Sequence, residues 1–468
     1  MDHEARPDNE EQREQPQGIM TDTVAVDDET DRIPALPPVP ARPVTATERL
    51  VSLDLLRGFA VLGILLINIW AYALPFPAAM NPRLIGLDLG WDRVVYAFVH
   101  LFAYTKMMPI FGMLFGAGLI LFTRRVEERG GRSGRRWFAR QWWLLVIGLV
   151  HGYLLWNGDI LVPYAICGLI AYRARRWRPR TLVMLAMLLM VVPKVGMQGL
   201  AVFLDGVRTT AVEADAAIVA GDTLTIDQLE KQEMWHETVA TWDPTRQEFD
   251  DLVTIMRGSY GDILGRAAPE LLVMHLVMYP LGFGWNIVGF MLVGMALFKL
   301  GVIQGERSDG FYVRLAIGCY GTGLPAAWWM MGWIDAHHHD FIAMIRIGFI
   351  SVEVTGPLVA LGHIALVVLA GRRGWLGPLA PRLAAAGRMA FTNYLTQTLV
   401  CTAIFFGPGF GLFGALDRTA LLGVVLAVWV LQLWWSPLWL GHFRFGPLEW
   451  LWRSLSYGSR QPLRITKG

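Results

Sequence analysis

Ten apolar stretches, most of them near the length of a membrane-spanning helix, with the fourth shorter and the second and sixth longer, constrain this chain of 468 residues more than any other feature. They run approximately over 53–73, 93–123, 137–156, 160–173, 181–203, 271–303, 311–334, 342–370, 385–408 and 418–441. A helix rising about 1.5 Å per residue needs roughly 20 apolar residues to cross a hydrocarbon layer about 30 Å thick. Backbone inside such a layer has to satisfy its own hydrogen bonds. The pattern therefore predicts an all-α, polytopic integral membrane protein with about ten transmembrane helices. Composition agrees, with 54% hydrophobic and only 17% charged residues, where soluble domains carry about 25% charged. Tryptophans gather near stretch ends (Trp91, Trp142, Trp143, Trp177, Trp375, Trp434), as interfacial anchors do.

Arginines set the orientation. The connection 124–140 carries Arg124, Arg125, Arg129, Arg132, Arg135, Arg136 and Arg140, and 173–180 carries five more. Lys299, Arg307 and Arg314 mark a third basic connection, and Arg372, Arg373, Arg382 and Arg388 a fourth. The alternate connections are poor in cations. Because cytoplasmic connections are the basic ones, both termini are expected in the cytoplasm, in a multi-pass protein of the cell membrane. Two stretches exceed a single span. Lys106 and Pro109 interrupt the second, so 107–123 is expected to span while 93–105 lies at the interface or re-enters. Pro280 with Gly282 and Gly284 permits a kink in the sixth.

Residues 1–48 are rich in Asp, Glu, Pro and Arg and read as a disordered cytoplasmic tail. Helices 1–5 then occupy 49–203, an outer-face loop 204–270, helices 6–10 271–441, and a cytoplasmic interfacial segment 442–468. Glu230, Glu233 and Glu237 in the loop suggest one or two amphipathic helices. Cys167, Cys319 and Cys401 each lie inside an apolar stretch and make neither a disulfide framework nor a metal motif. No metal site is expected: His337, His338 and His339 are consecutive and cannot converge on one ion. Gly112, Gly116 and Gly118 read as a close helix-packing surface. No nucleic-acid partner is expected.

Ionisable groups at hydrocarbon depth are costly unless paired or functional. Counting inward from the basic connections places Asn68 and His151 at a similar depth, with Asp159 and Lys106 near the outer boundary. These four groups could share one outward-facing cavity, with Arg57 and Asp54 at the inner boundary. The chemistry that suits them is acyl transfer. A neutral histidine removes a proton from an attacking hydroxyl or amine, a carboxylate orients the imidazole, and an amide or ammonium stabilises the oxyanion. Hydrogen bonding across helices is the structural alternative for His151. Elsewhere, Arg346 and Glu353 are expected to neutralise each other on one helical face, Asn393 and Gln397 to bond between helices, and Glu449 and Arg453 to pair on an interfacial helix.

Five segments carry a resemblance: Leu53–Asn68 (LDLLRGFAVLGILLIN), Lys106–Gly118 (KMMPIFGMLFGAG), His151–Leu169 (HGYLLWNGDILVPYAICGL), Ala386–Gln397 (AGRMAFTNYLTQ) and Gly446–Tyr457 (GPLEWLWRSLSY). Together they resemble the YeiB-like family, catalogued as domain of unknown function 418. The first helix is also similar to that of transmembrane acyltransferases, including sugar O-acetyltransferases and the lysosomal glucosaminide N-acetyltransferase. The sugar enzymes carry an arginine, ten residues, then a histidine. That spacing here gives Arg57 and Asn68, so the resemblance supplies no base at that position, although the lysosomal type also places an asparagine there. His151 is the replacement base, with Asp159 and Asn68 as its catalytic companions and Arg57 and Lys106 as substrate contacts. The resemblance implies a cytoplasmic acyl-CoA as donor substrate, no bound cofactor and an unidentified small-molecule acceptor. A transporter of a small molecule and a non-catalytic membrane scaffold stay open beside this reading, as does a homo-oligomer within the lipid bilayer.

Overall fold

The computed structural model describes residues 50–85 and 90–465; the tail expected over 1–48 lies outside the described residues. Among these the chain is helical throughout, with one isolated antiparallel bridge between Phe443 and Arg464. The helices are α1 Val51–Ala73, α2 Phe76–Met80, α3 Trp91–Phe102, α4 Met107–Glu128, α5 Ser133–Leu154, α6 Leu161–Tyr172, α7 Pro179–Ala220, α8 Ile226–Trp242 and α9 Arg246–Met256. They continue as α10 Tyr260–Val273, α11 Gly284–Lys299, α12 Asp309–Ala336, α13 Phe341–Phe349, α14 Gly356–Arg372, α15 Leu379–Arg388, α16 Ala390–Phe405, α17 Arg418–His442 and α18 Pro447–Tyr457.

Every apolar stretch is helical, and among the described residues six helical runs are long and apolar enough to cross a membrane. The remaining stretches form α5, α6, α12 and the α15–α16 pair, which are shorter or more polar. The second stretch breaks where expected, at Ala103–Lys106, with Thr105 at φ 62°, a conformation costly for a β-branched residue. The sixth passes through a π-helical segment, Met274–Phe283, that contains Pro280, and a second π-helical turn, Ile350–Thr355, joins α13 to α14.

α1 is the central post, packed by α4, α14, α15, α16 and α17. Its apolar window is 72% buried, against 24% for α7 and 28% for α17. The open faces of the outer helices, such as Met184, Met187, Leu188 and Val191 on α7, form the kind of continuous apolar surface that lipid covers. Close approach depends on glycine. A Cβ on Gly116 of α4 would lie 1.9 Å from the Met291 carbonyl oxygen, and one on Gly294 of α11 1.9 Å from that of Met113. Of the expected glycine surface, Gly112 and Gly116 make the α4–α11 contact, whereas Gly118 faces Arg57 of α1.

The 204–270 segment is more ordered than a loop. α7 runs on to Ala220, about 60 Å at helical rise; α8 folds back along it, and α9 and α10 follow. Capping boxes start three of these helices, Thr225 with Gln228, Thr245 with Glu248 and Ser259 with Asp262, each satisfying backbone N–H groups that a helix start leaves orphaned. At Glu248, outside any spanning segment, the Thr245 backbone and hydroxyl bonds hold the carboxyl below its ordinary value.

Two side-chain pairings differ from expectation. Glu353 pairs with Lys194 of α7 at 2.6 Å, and Arg346 with Asp205 at 2.7 Å. The π-helical turn between Arg346 and Glu353 breaks the seven-residue phase that would align them. Both Glu449 oxygens accept bonds from α16, from the Phe391 and Thr392 backbone and the Thr392 hydroxyl. Glu449 therefore caps α16, joining the two C-terminal signatures through one carboxylate. Burial pushes its carboxyl up, against the Thr392 bonds that lower it.

Candidate active site

α5 and α6 form a tight hairpin because Gly148 and Gly152 carry no side chain there. A Cβ on Gly148 would meet the Val162 nitrogen at 2.7 Å, and one on Gly152 the Asp159 Cβ at 3.2 Å. This closeness brings His151, in the last turn of α5, against Asp159 in the connection. His151 Nδ1 and Asp159 Oδ1 are 2.7 Å apart, and the other Asp159 oxygen accepts the Val162 N–H at 2.8 Å. A carboxylate only accepts, so the neutral ring carries its proton on Nδ1 and presents a lone pair at Nε2.

That lone pair meets the Thr398 hydroxyl of α16 at 3.0 Å, and Thr398 in turn lies 2.7 Å from the Tyr72 hydroxyl of α1. The consistent assignment is a directed chain: Tyr72 donates to Thr398, Thr398 to His151 Nε2, and His151 Nδ1–H to Asp159. All four side chains are buried. Trp156 covers Tyr72 with ring centres 4.0 Å apart, and Tyr279 donates to the Asp159 carbonyl at 3.4 Å. Hydroxyl, imidazole and carboxylate in this order are the arrangement that activates a hydroxyl for attack on a carbonyl.

A cavity of about 360 Å³ approaches this chain from the arginine-rich end of the bundle. Eight arginines line it, among them Arg57, Arg129, Arg140 and Arg388, against the two carboxylates Asp54 and Glu449. Its inner end is formed by Ile160, Leu161, Tyr164 and Tyr394. Tyr394 stands one helical turn before Thr398, its ring centre is 5.4 Å from that of His151, and its buried hydroxyl is spent on no other side chain. Arg140 lies 3.5 Å over the Trp452 ring, tying α5 to α18 at the cavity wall.

Of the residues singled out from sequence, His151 and Asp159 meet directly, and Arg57 faces the cavity, 3.5 Å from Asp54. Asn68 is half-buried, and neither His151 nor Asp159 bonds to it. Lys106 is not in this cavity. Its ammonium donates to the His100 carbonyl at 2.7 Å and to the Thr105 hydroxyl at 3.3 Å, because the break between α3 and α4 turns it toward α3. The expected four-member outward cavity is therefore corrected to a buried His151–Asp159 pair, from which Tyr394 separates the arginine-lined cavity. Thr398 and Tyr72 extend the hydrogen-bonded chain and carried no sequence signal of their own, and Tyr394 beside them lies in the Ala386–Gln397 segment without having been singled out. Asn393 and Gln397 bond between helices as expected, to Ser436 and Gln432. His337 stacks on Trp333 and His339 bonds Asp335, and no cluster of metal-ligand geometry occurs among the described residues.

These features define an all-helical membrane protein with a buried hydroxyl–imidazole–carboxylate chain beside a cationic cavity. Residues 297–459 match the family described as Protein of unknown function (DUF418). The chain is 33% identical to the uncharacterized protein YeiB of Escherichia coli K12, over 89% of this chain and 98% of that one. It is 28% identical to the uncharacterized protein YxaH of Bacillus subtilis 168, over 90% and 98% respectively. The chain belongs to this YeiB-like DUF418 family. No solved structure matches it.

Proposed function

We propose that this protein is a multi-pass acyltransferase of the cell membrane, with ten crossings and both termini cytoplasmic, moving an acyl group from cytoplasmic acyl-CoA to a small acceptor on the outer face. The observation that carries this reading is the Thr398–His151–Asp159 chain lying one tyrosine beyond the end of an arginine-lined cavity. Arginines recognise phosphates bidentately, so the cavity suits the polyphosphate end of the donor, with its thioester toward Tyr394. The acceptor hydroxyl oxygen bonds to the thioester carbonyl carbon while its proton passes across the Thr398 hydroxyl to His151 Nε2. Asp159 stabilises the resulting imidazolium, and Tyr394 donates to the developing oxyanion. The carbon–sulfur bond then breaks, and the thiolate takes the proton from His151.

The test uses membranes supplied with acetyl-CoA labelled in the acetyl group. Transfer of label to membrane or released material is expected in wild type and absent in His151→Ala at equal protein level; unchanged transfer in that variant would reject the assignment. A second reading, transport of a small molecule, is favoured by the half-buried Lys194–Glu353 pair, to which Asn286 donates at 3.0 Å. Substrate flux across proteoliposomes lacking any acyl donor would support it over the enzyme.

A further inference from the structure

On the opposite side of α1 from the His151 chain, a second group of buried polar residues is rich in hydrogen-bond donors and poor in acceptors. Arg418, the first residue of α17, is fully buried. One guanidinium nitrogen, Nη2, donates to the Ala78 carbonyl at 2.7 Å, while Nε and Nη1 have no partner. The guanidinium lies 4.3 Å over the Trp70 ring and 5.2 Å from the Tyr96 ring. Tyr96 and Trp70 in turn face His100, at 4.3 and 6.1 Å between ring centres. The His100 Nδ1 is buried without a partner, and its other nitrogen meets the Tyr96 hydroxyl at 3.5 Å. With that hydroxyl donating, Nδ1 carries a proton aimed at nothing. Lys106, 1% exposed, donates to the His100 carbonyl and the Thr105 hydroxyl, neither of which carries charge.

The charge inventory is one-sided. Asp92, the nearby carboxylate on α3, accepts from the backbone of Arg418 and Thr419 and from the Thr419 hydroxyl, so it caps α17 rather than gripping the guanidinium. Asp335 is held by His339. Buried cations are expensive unless paired, and unmade donors on a buried guanidinium are rarer still. A metal cation would answer neither deficit, and a neutral sugar would supply acceptors but no charge; a small oxyanion answers both.

We propose that Arg418, His100 and Lys106 form a binding site for a small oxyanion, a carboxylate or phosphate group, at the end of the bundle opposite the arginine-lined cavity. Trp70 stands thirteen positions after Arg57 on α1, about 20 Å along the helix axis, so the two anion-attracting regions are separate. The site stands independently of the acyl-transfer reading.

The full chain in lipid nanodiscs tests this by thermal unfolding in sodium acetate, sodium phosphate and sodium chloride at equal ionic strength. A ligand bound only by the folded state raises the midpoint saturably. Acetate or phosphate is expected to raise it by several degrees above chloride, and the stronger of the two identifies the natural group. Arg418→Gln and Lys106→Gln are each expected to lose the shift; if the first variant does not fold, the second decides. Absence of a shift in wild type would overturn the proposal. So would an equal shift in Lys106→Gln, which would assign the anion to the arginine-lined cavity instead.

Discussion

His151 is fixed through both ring nitrogens, Nδ1 by Asp159 and Nε2 by Thr398, which sets tautomer and ring orientation together. Thr398 is the residue whose role is sharpest to test. Thr398→Val keeps the shape but removes the hydroxyl that relays the proton in the proposed function, so the acyl-transfer rate is expected to fall by about 10²-fold or more, in the range of general acid–base effects. Thr398→Ser keeps the hydroxyl and is expected to retain most of the rate; equal rates in Thr398→Val and wild type would remove the relay from the mechanism. The His151–Asp159 pair was legible in sequence because His151 interrupts an apolar stretch and Asp159 lies in the short connection that follows it. Thr398 and Tyr72 were not legible. They lie far apart in the chain, and hydroxyl residues are ordinary in membrane helices, where they return bonds to their own backbone. Lys106 misled for a related reason: depth along a helix is countable, but the direction a side chain takes at a helix break is not.

Between elements, the contacts that matter most are those where backbones nearly touch. Gly116→Ala would push a methyl into the Met291 carbonyl of α11, and overpacking of this kind costs about 1–3 kcal/mol. A lowered thermal midpoint in nanodiscs is expected, whereas Gly318→Ala on α12, where a Cβ meets nothing within 4 Å, should leave the midpoint unchanged. Equal midpoints in the two variants would contradict the packing account. Helix positions were readable from apolar runs, proline placement and basic connections, and the break before Met107 fell where Lys106 and Pro109 implied. The π-helical segments at Met274–Phe283 and Ile350–Thr355 were not readable, since a single-residue change of phase leaves no mark in composition. That change of phase redirected Glu353 from Arg346 to Lys194. By contrast, the helix expected from Glu230, Glu233 and Glu237 is α8, and the capping boxes of α8 and α9 fix where each starts.

For the whole molecule, α1 carries Arg57 at the cavity and Tyr72 at the buried chain, so one helix links the basic end of the bundle to the buried hydrogen-bonded chain. Several of the arginines that reveal orientation in sequence also line the cavity, a second use that residue counting could not show because the cavity draws on α1, α4, α5, α15, α18 and the segment before α18. In the proposed function this geometry separates two tasks, donor binding by the arginines and proton transfer by His151. Steady-state kinetics of acetyl transfer by the nanodisc-embedded chain, with acetyl-CoA as the varied substrate, measures that separation directly. Asp159→Asn is expected to lower kcat by about 10²- to 10⁴-fold, the scale seen when a histidine loses its orienting carboxylate, with KM for acetyl-CoA little changed. Arg57→Gln is expected to raise KM with kcat retained. A kcat in Asp159→Asn equal to that of wild type would contradict the account.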